Sequence, residues 1–107
     1  MKRIGFLLKV KQEKIPEYKK HHESVWPEMK AALNRTGWNN YTLFIRDDGL
    51  IFGYFEAVES LQASQEGMAK EAINLKWQDL MAPFFEAIGG SRPDETMIEL
   101  EEYFHVE

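Results

Sequence analysis

The chain predicts an α+β fold of the ferredoxin-like kind, a βαββαβ subunit built from two strand–helix–strand units that share one sheet. Three observations carry this. Strand-forming runs stand at the start, twice in the middle and at the end of the chain. Two stretches with apolar residues every three or four positions separate them. The 107 residues fit one compact domain, 1–107, and leave no room for two.

Ile4 to Val10 is a short apolar run flanked by lysines and reads as the first strand. From Ile15 to Thr36, the residues Ile15, Tyr18, His22, Val25, Met29 and Leu33 recur at helical spacing. Pro16 suits the first turn of this helix, Gly37 its end, and Pro27 should kink it or divide it in two. Tyr41 to Arg46 and Leu50 to Glu56 are rich in strand formers, and Asp47-Asp48-Gly49 joins them as a hairpin turn. Ser60 is a candidate N-cap for a short helix that Gly67 interrupts. Lys70 to Ala87 continues as helix, with an apolar stripe of Ile73, Trp77, Leu80, Met81, Phe84 and Phe85, and Pro83 disturbs its last turns. Gly89 to Asp94 is a loop, and Glu99 to Val106 alternates as a final strand.

Composition narrows the function. The formal net charge of −5 and the lack of a clustered basic surface argue against nucleic-acid binding. With no cysteine, disulfides, zinc–thiolate sites and thiol nucleophiles are excluded. The apolar run near the N-terminus stops at Leu8, too short for a signal peptide, and no stretch approaches a membrane span, so the cytoplasm is the expected compartment. The 14 aromatic residues (3 Trp, 4 Tyr, 7 Phe) are many for this size. Two subunits sharing a core would bury them more easily, and a partner sheet would cover the face the helices leave bare, so a homodimer is expected.

Tyr18, His22 and Trp26 are spaced by four and share one helix face, which lines up a phenol, an imidazole and an indole. Indole and phenol faces suit sugar C–H patches, while phenol and imidazole can bond hydroxyls. Side chains at this spacing also commonly belong to a core and its rim. His21 and His22 point about 100° apart on a helix and cannot chelate one metal from one face. Tyr41 in the second strand, Trp77 in the second helix and His105 in the last strand each read, alone, as packing residues. Glu56 lies at a strand end, where it can be a surface residue or orient an acid or base. No glycine-rich phosphate loop, nucleophile elbow or redox-cofactor fingerprint is present, and no metal or cofactor is expected.

The segment Glu17-Tyr18-Lys19-Lys20-His21-His22-Glu23-Ser24-Val25-Trp26-Pro27-Glu28-Met29 resembles the L-rhamnose mutarotase family. That family carries Glu-Tyr, then His, then Trp-Pro-Glu at these places. The likeness continues through Leu33, Gly37, Asn40 and Tyr41, the Pro93-Asp94 loop and the ending Tyr103-Phe104-His105-Val106. It implies a dimeric α/β-barrel of ferredoxin-like subunits with exchanged edge strands. It also implies a cofactor-independent interconversion of the α and β anomers of L-rhamnose, His22 as the catalytic residue, and Tyr18 and Tyr41 as sugar ligands. The family's pair of neighbouring tryptophans is Lys76-Trp77 here, which leaves L-fucose or another 6-deoxyhexose open as substrate.

On this reading His22 donates a proton to the ring oxygen while Trp26 and Trp77 form an apolar wall. Histidine can act as acid or base near neutral pH. Two other functions share the topology: a dimeric α/β-barrel monooxygenase acting on aromatic substrates, and a non-catalytic ligand-binding module.

Overall fold

The computed structural model describes residues 1–85 and 96–107. It is an α+β structure with one four-stranded antiparallel sheet and four α-helices. Strands β1 (Lys2–Lys9), β2 (Asn39–Ile45), β3 (Leu50–Ala57) and β4 (Ile98–Leu100) lie in the order β2-β3-β1-β4. Helices α1 (Ile15–His22), α2 (Pro27–Arg35), α3 (Leu61–Ala69) and α4 (Ala72–Met81) make up the helical layer. None of the described helices is long and apolar enough to cross a membrane.

The pleat sorts the side chains of β1 and β3. Ile4, Phe6, Leu8, Ile51 and Phe55 are buried on the helix side, against Met29, Leu61, Met68, Trp77 and Met81. On the other side Phe44, Phe52, Ile98 and Leu100 stay exposed, with Phe44 stacked on Phe52 at 6.1 Å between ring centroids.

Pro27 divides the first helical stretch completely. It occupies the first turn of α2, and Trp26 before it is extended, as a residue preceding proline prefers. The imidazole of His22 therefore sits at a helix end. Gly37, at φ +89°, ends α2 and lets the Trp38 N–H bond the Leu33 carbonyl at 2.9 Å. Ser60 caps α3 by accepting the Ala63 N–H at 3.0 Å.

Three elements differ from the sequence reading. Gly67 does not interrupt its helix; the break falls at Lys70–Glu71. A β-carbon built on Gly67 would come within 3.0 Å of Thr36, so this glycine serves close packing instead. α4 ends at Met81, and Pro83 lies in a 3-10 turn over Ala82–Phe84. The strand expected over Glu99–Val106 is three residues long, Ile98–Leu100. Its register sets Gly5 opposite Leu100, so Tyr103 would face Lys2 and the residues after Phe104 would run past the start of β1. The expected helix beyond Phe85 and the Gly89–Asp94 loop lie outside the described residues.

Candidate active site

His22 is the last residue of α1 and is half-buried. Its Nδ1 lies 2.9 Å from the carbonyl oxygen of Tyr18, one turn back. A carbonyl can only accept, so Nδ1 carries the hydrogen and Nε2 keeps its lone pair. Burial lowers the pKa of His22 below the ordinary histidine value. The Tyr18 carbonyl opposes this and the neighbouring His21 adds to it. The resting ring is therefore a neutral imidazole.

Three concavities meet at this ring. The largest, about 490 Å³, runs between β2 and helices α2, α3 and α4. Tyr41, Trp38, Trp77, Asn74 and Gln78 are among its walls. A cavity of about 50 Å³ beneath it is lined by Tyr18, Tyr41, Trp77 and Gln78. A third, of about 190 Å³, lies on the other side of His22, against Tyr18, Leu43 and Phe44.

Tyr18 is buried, with its ring centroid 4.4 Å from that of His22. Burial pushes its phenol pKa up, so the hydroxyl stays protonated. Trp77 meets the other side of His22 edge-on at 5.4 Å. Trp26 does not line the cleft; it packs edge-on against Trp77 at 5.2 Å and holds that indole in place. The structure thus brings Tyr18, His22, Tyr41 and Trp77 together and sets Trp26 one layer behind.

Tyr41 owes its position to a β-bulge. Asn39 pairs with Glu56 and Thr42 with Tyr54, so Asn40 and Tyr41 together oppose the single residue Phe55. Asn40 takes the left-handed conformation at φ 51°, which asparagine tolerates better than most residues. Its Nδ2 donates to Glu56 Oε1 at 2.7 Å, and the Tyr54 hydroxyl donates to Glu56 Oε2 at 2.9 Å. Both bonds hold the Glu56 carboxyl below the usual carboxylate range. Glu56 is thus a brace for the bulge, on the sheet face away from the cleft.

Trp38, Asn74 and Gln78 are cleft residues that the sequence reading missed. The indole of Trp38 stacks on Phe55 at 4.1 Å and its Nε1 donates to the Ser64 carbonyl at 3.2 Å. Asn74 donates to the Met68 carbonyl at 3.1 Å, and Gln78 Nε2 donates to Asn74 Oδ1 at 3.0 Å. A signal was available. Asn74 and Gln78 are two amides four apart that flank Trp77 on the apolar side of a helix, and buried amides need partners. His105 is not near the cleft, since the tail from Glu101 onward is exposed and has no regular structure. Among the described residues, no three His, Asp or Glu side chains gather in a way that could hold a metal ion.

A cleft with fixed indoles for C–H faces, amides for hydroxyls and one neutral imidazole for proton transfer suits a small polyhydroxylated ring. Fold and site define a small α+β enzyme of the sugar-isomerase class. Comparison with known proteins agrees. Residues 3–106 match the model of the L-rhamnose mutarotase family. The chain is 37% identical over 108 positions to an L-rhamnose mutarotase of Oceanobacillus iheyensis and 32% identical to one of Bacillus subtilis, each alignment covering 100% of both chains. The crystal structure of an L-rhamnose mutarotase from Formosa agariphila matches with a TM-score of 0.81 at 28% identity, covering 100% of both chains. The chain belongs to the L-rhamnose mutarotase family and is an isomerase of that type.

Proposed function

We infer that this protein interconverts the anomers of L-rhamnose by using His22 as a proton shuttle. The observation that carries the reading is the bond from His22 Nδ1 to the Tyr18 carbonyl, which leaves Nε2 as a base at the meeting point of the cavities. Nε2 takes the proton of the anomeric hydroxyl. The C1–O1 bond becomes a carbonyl as the C1–O5 bond breaks, and its electron pair goes to the ring oxygen. The imidazolium returns its proton there. Rotation about C1–C2 turns the aldehyde, the ring oxygen attacks the other face, and the protons retrace their path. His22 thus accepts first and donates second, so donation to the ring oxygen is one half of its role. The α1 carbonyl end at which it sits favours the transient cation.

Tyr18 and Tyr41 hold sugar hydroxyls on this reading. The Tyr18 O–H is buried and bonds no other described residue, so a sugar hydroxyl at the small cavity it lines would satisfy it. Trp77 supplies the apolar wall and Trp26 supports it. The reaction proceeds without a cofactor.

The assembly in this reading is a homodimer of ferredoxin-like subunits in the cytoplasm. The strand order β2-β3-β1-β4 is that of a split βαβ sheet. The exposed Phe44, Phe52, Ile98 and Leu100 offer an apolar face to a second sheet, and the apolar tail with Tyr103, Phe104 and Val106 is placed to join it.

Saturation-transfer NMR with L-rhamnose, L-fucose and D-ribose tests the activity. Faster anomer exchange for L-rhamnose alone is the expected result. Exchange no faster than in buffer for every sugar would overturn the reading.

A further inference from the structure

We propose that the cleft is a two-unit saccharide site, with a reducing 6-deoxyhexose against His22 and a second glycosyl unit in its outer half. The proposal rests on the mutarotase reading of the His22 end. A 6-deoxyhexose has six carbons and five oxygens. Even if each took the roughly 30 Å³ of a molecule in liquid water, the sugar would fill about 330 Å³, and bonded atoms pack more tightly than that. The cleft measures about 490 Å³, so at least about 160 Å³ remains, room for the inner part of a second unit whose remainder reaches out of the open cleft. The surplus lies at the end away from His22, because the walls continue along α2 from Met29 to Asn34, about 7.5 Å of helix.

The chemistry of this outer half is that of a saccharide site. Trp38 and Met68 form a buried floor, and the Trp38 indole is fixed by its bond to Ser64. Asn34 and Gln65 bring amides, and Lys30 adds an ammonium that forms no ion pair with a described residue. Among the described residues no carboxylate lines the cleft, although the chain carries a net charge of −5. Amides beside an indole match hydroxyl-bearing rings better than they match a lipid or a peptide. Mutarotation needs a free anomeric hydroxyl, which puts the reducing unit at His22. The second unit must hang from a ring hydroxyl on the far side. The substrate class therefore extends from the free sugar to short saccharides that end in it.

The test compares L-rhamnose with a reducing disaccharide carrying a glucosyl unit on its L-rhamnose end, by anomer-exchange NMR and by titration of tryptophan fluorescence. Wild-type protein is expected to accelerate exchange of both and to bind the disaccharide about tenfold more tightly. Asn34→Trp, at an exposed helix position, should remove that gain while leaving L-rhamnose exchange within about twofold of wild type. If L-rhamnose alone is accelerated and the disaccharide binds no better, the second unit is overturned while the mutarotase reading stands. If neither sugar is accelerated, the mutarotase reading falls, and the titration decides separately. Tighter binding of the disaccharide that Asn34→Trp abolishes keeps the two-unit site, and equal or weaker binding overturns it.

Discussion

Nδ1 of His22 lies 2.9 Å from the backbone oxygen of Tyr18, and this one contact sets the tautomer of the ring. Together with burial, which lowers the His22 pKa, it predicts the pH profile. On the proposed mechanism activity needs the unprotonated ring, so kcat/KM should be flat around neutrality and fall on acidification only below the ordinary histidine value, near 6.5. A two-dimensional NMR titration should place the His22 pKa at that same acid limb. Stability has the same sign. The unfolded ring binds a proton more readily than the folded one, so the contribution of His22 is complete above about 6.5 and shrinks as pH falls toward its folded value. Replacing the ring by His22→Ala should lower kcat by about 10²-fold or more with little change in circular dichroism.

Tyr18 separates activity from stability. Its buried hydroxyl bonds no other described residue, so Tyr18→Phe removes an O–H that the free fold does not use. The variant should melt at or slightly above the wild-type temperature. Its kcat/KM for L-rhamnose should drop about tenfold, the cost of one lost hydrogen bond to the sugar. A calorimetric scan beside the exchange assay checks both.

Glu56 acts on the site from the far side of the sheet. Glu56→Ala frees Asn40 and Tyr54 together and loosens the bulge that carries Tyr41. KM should rise about three- to tenfold while kcat changes less. Glu56→Gln, which can still accept from both partners, should recover most of the loss. A purely local surface role would leave KM unmoved in both variants.

Gly53 leaves room for a ring. A β-carbon there would overlap the ring of Phe6. Gly53→Ala should therefore destabilise the fold by about 1–3 kcal/mol through overpacking. Urea denaturation should show a lower midpoint with an unchanged slope.

The bare sheet face predicts association. Phe44→Asp places a charge against the Phe52 ring and should shift the protein to monomer in light-scattering chromatography. The wild-type melting temperature should rise with protein concentration, as mass action requires of a dimer. A concentration-independent wild-type melt at the monomer mass would overturn the dimer.

Much of this was legible in the chain. Periodicity located α1, α2 and α4, which bury apolar stripes, the Ser60 cap located α3, and Pro27 marked a break that its ring enforces. The row Tyr18, His22, Trp26 marked the helix face that borders the cavities, yet spacing alone could not show that Trp26 faces Trp77 and not the cleft. That depends on α4, fifty residues away in sequence. The bulge at Asn40–Tyr41 was hidden for a similar reason. A bulge is a mismatch between two strands, and neither strand shows it alone. The last strand is shorter than Glu99–Val106 suggests, because alternation gives a side-chain period but not the length of the edge it must pair with.

The missing side chain at Gly53 leaves an open space between β1 and β2. Across that gap the Phe6 ring comes to 6.1 Å from Tyr41, although β3 separates their strands. On the proposed reading of Tyr41 as a sugar ligand, that ligand is backed from β1 by a side chain absent from the lining of the large cleft. Phe6 meets the rings of Tyr41 and Trp38 but not those of His22 or Tyr18, so a substitution at position 6 should alter the cleft wall and leave the reacting groups in place.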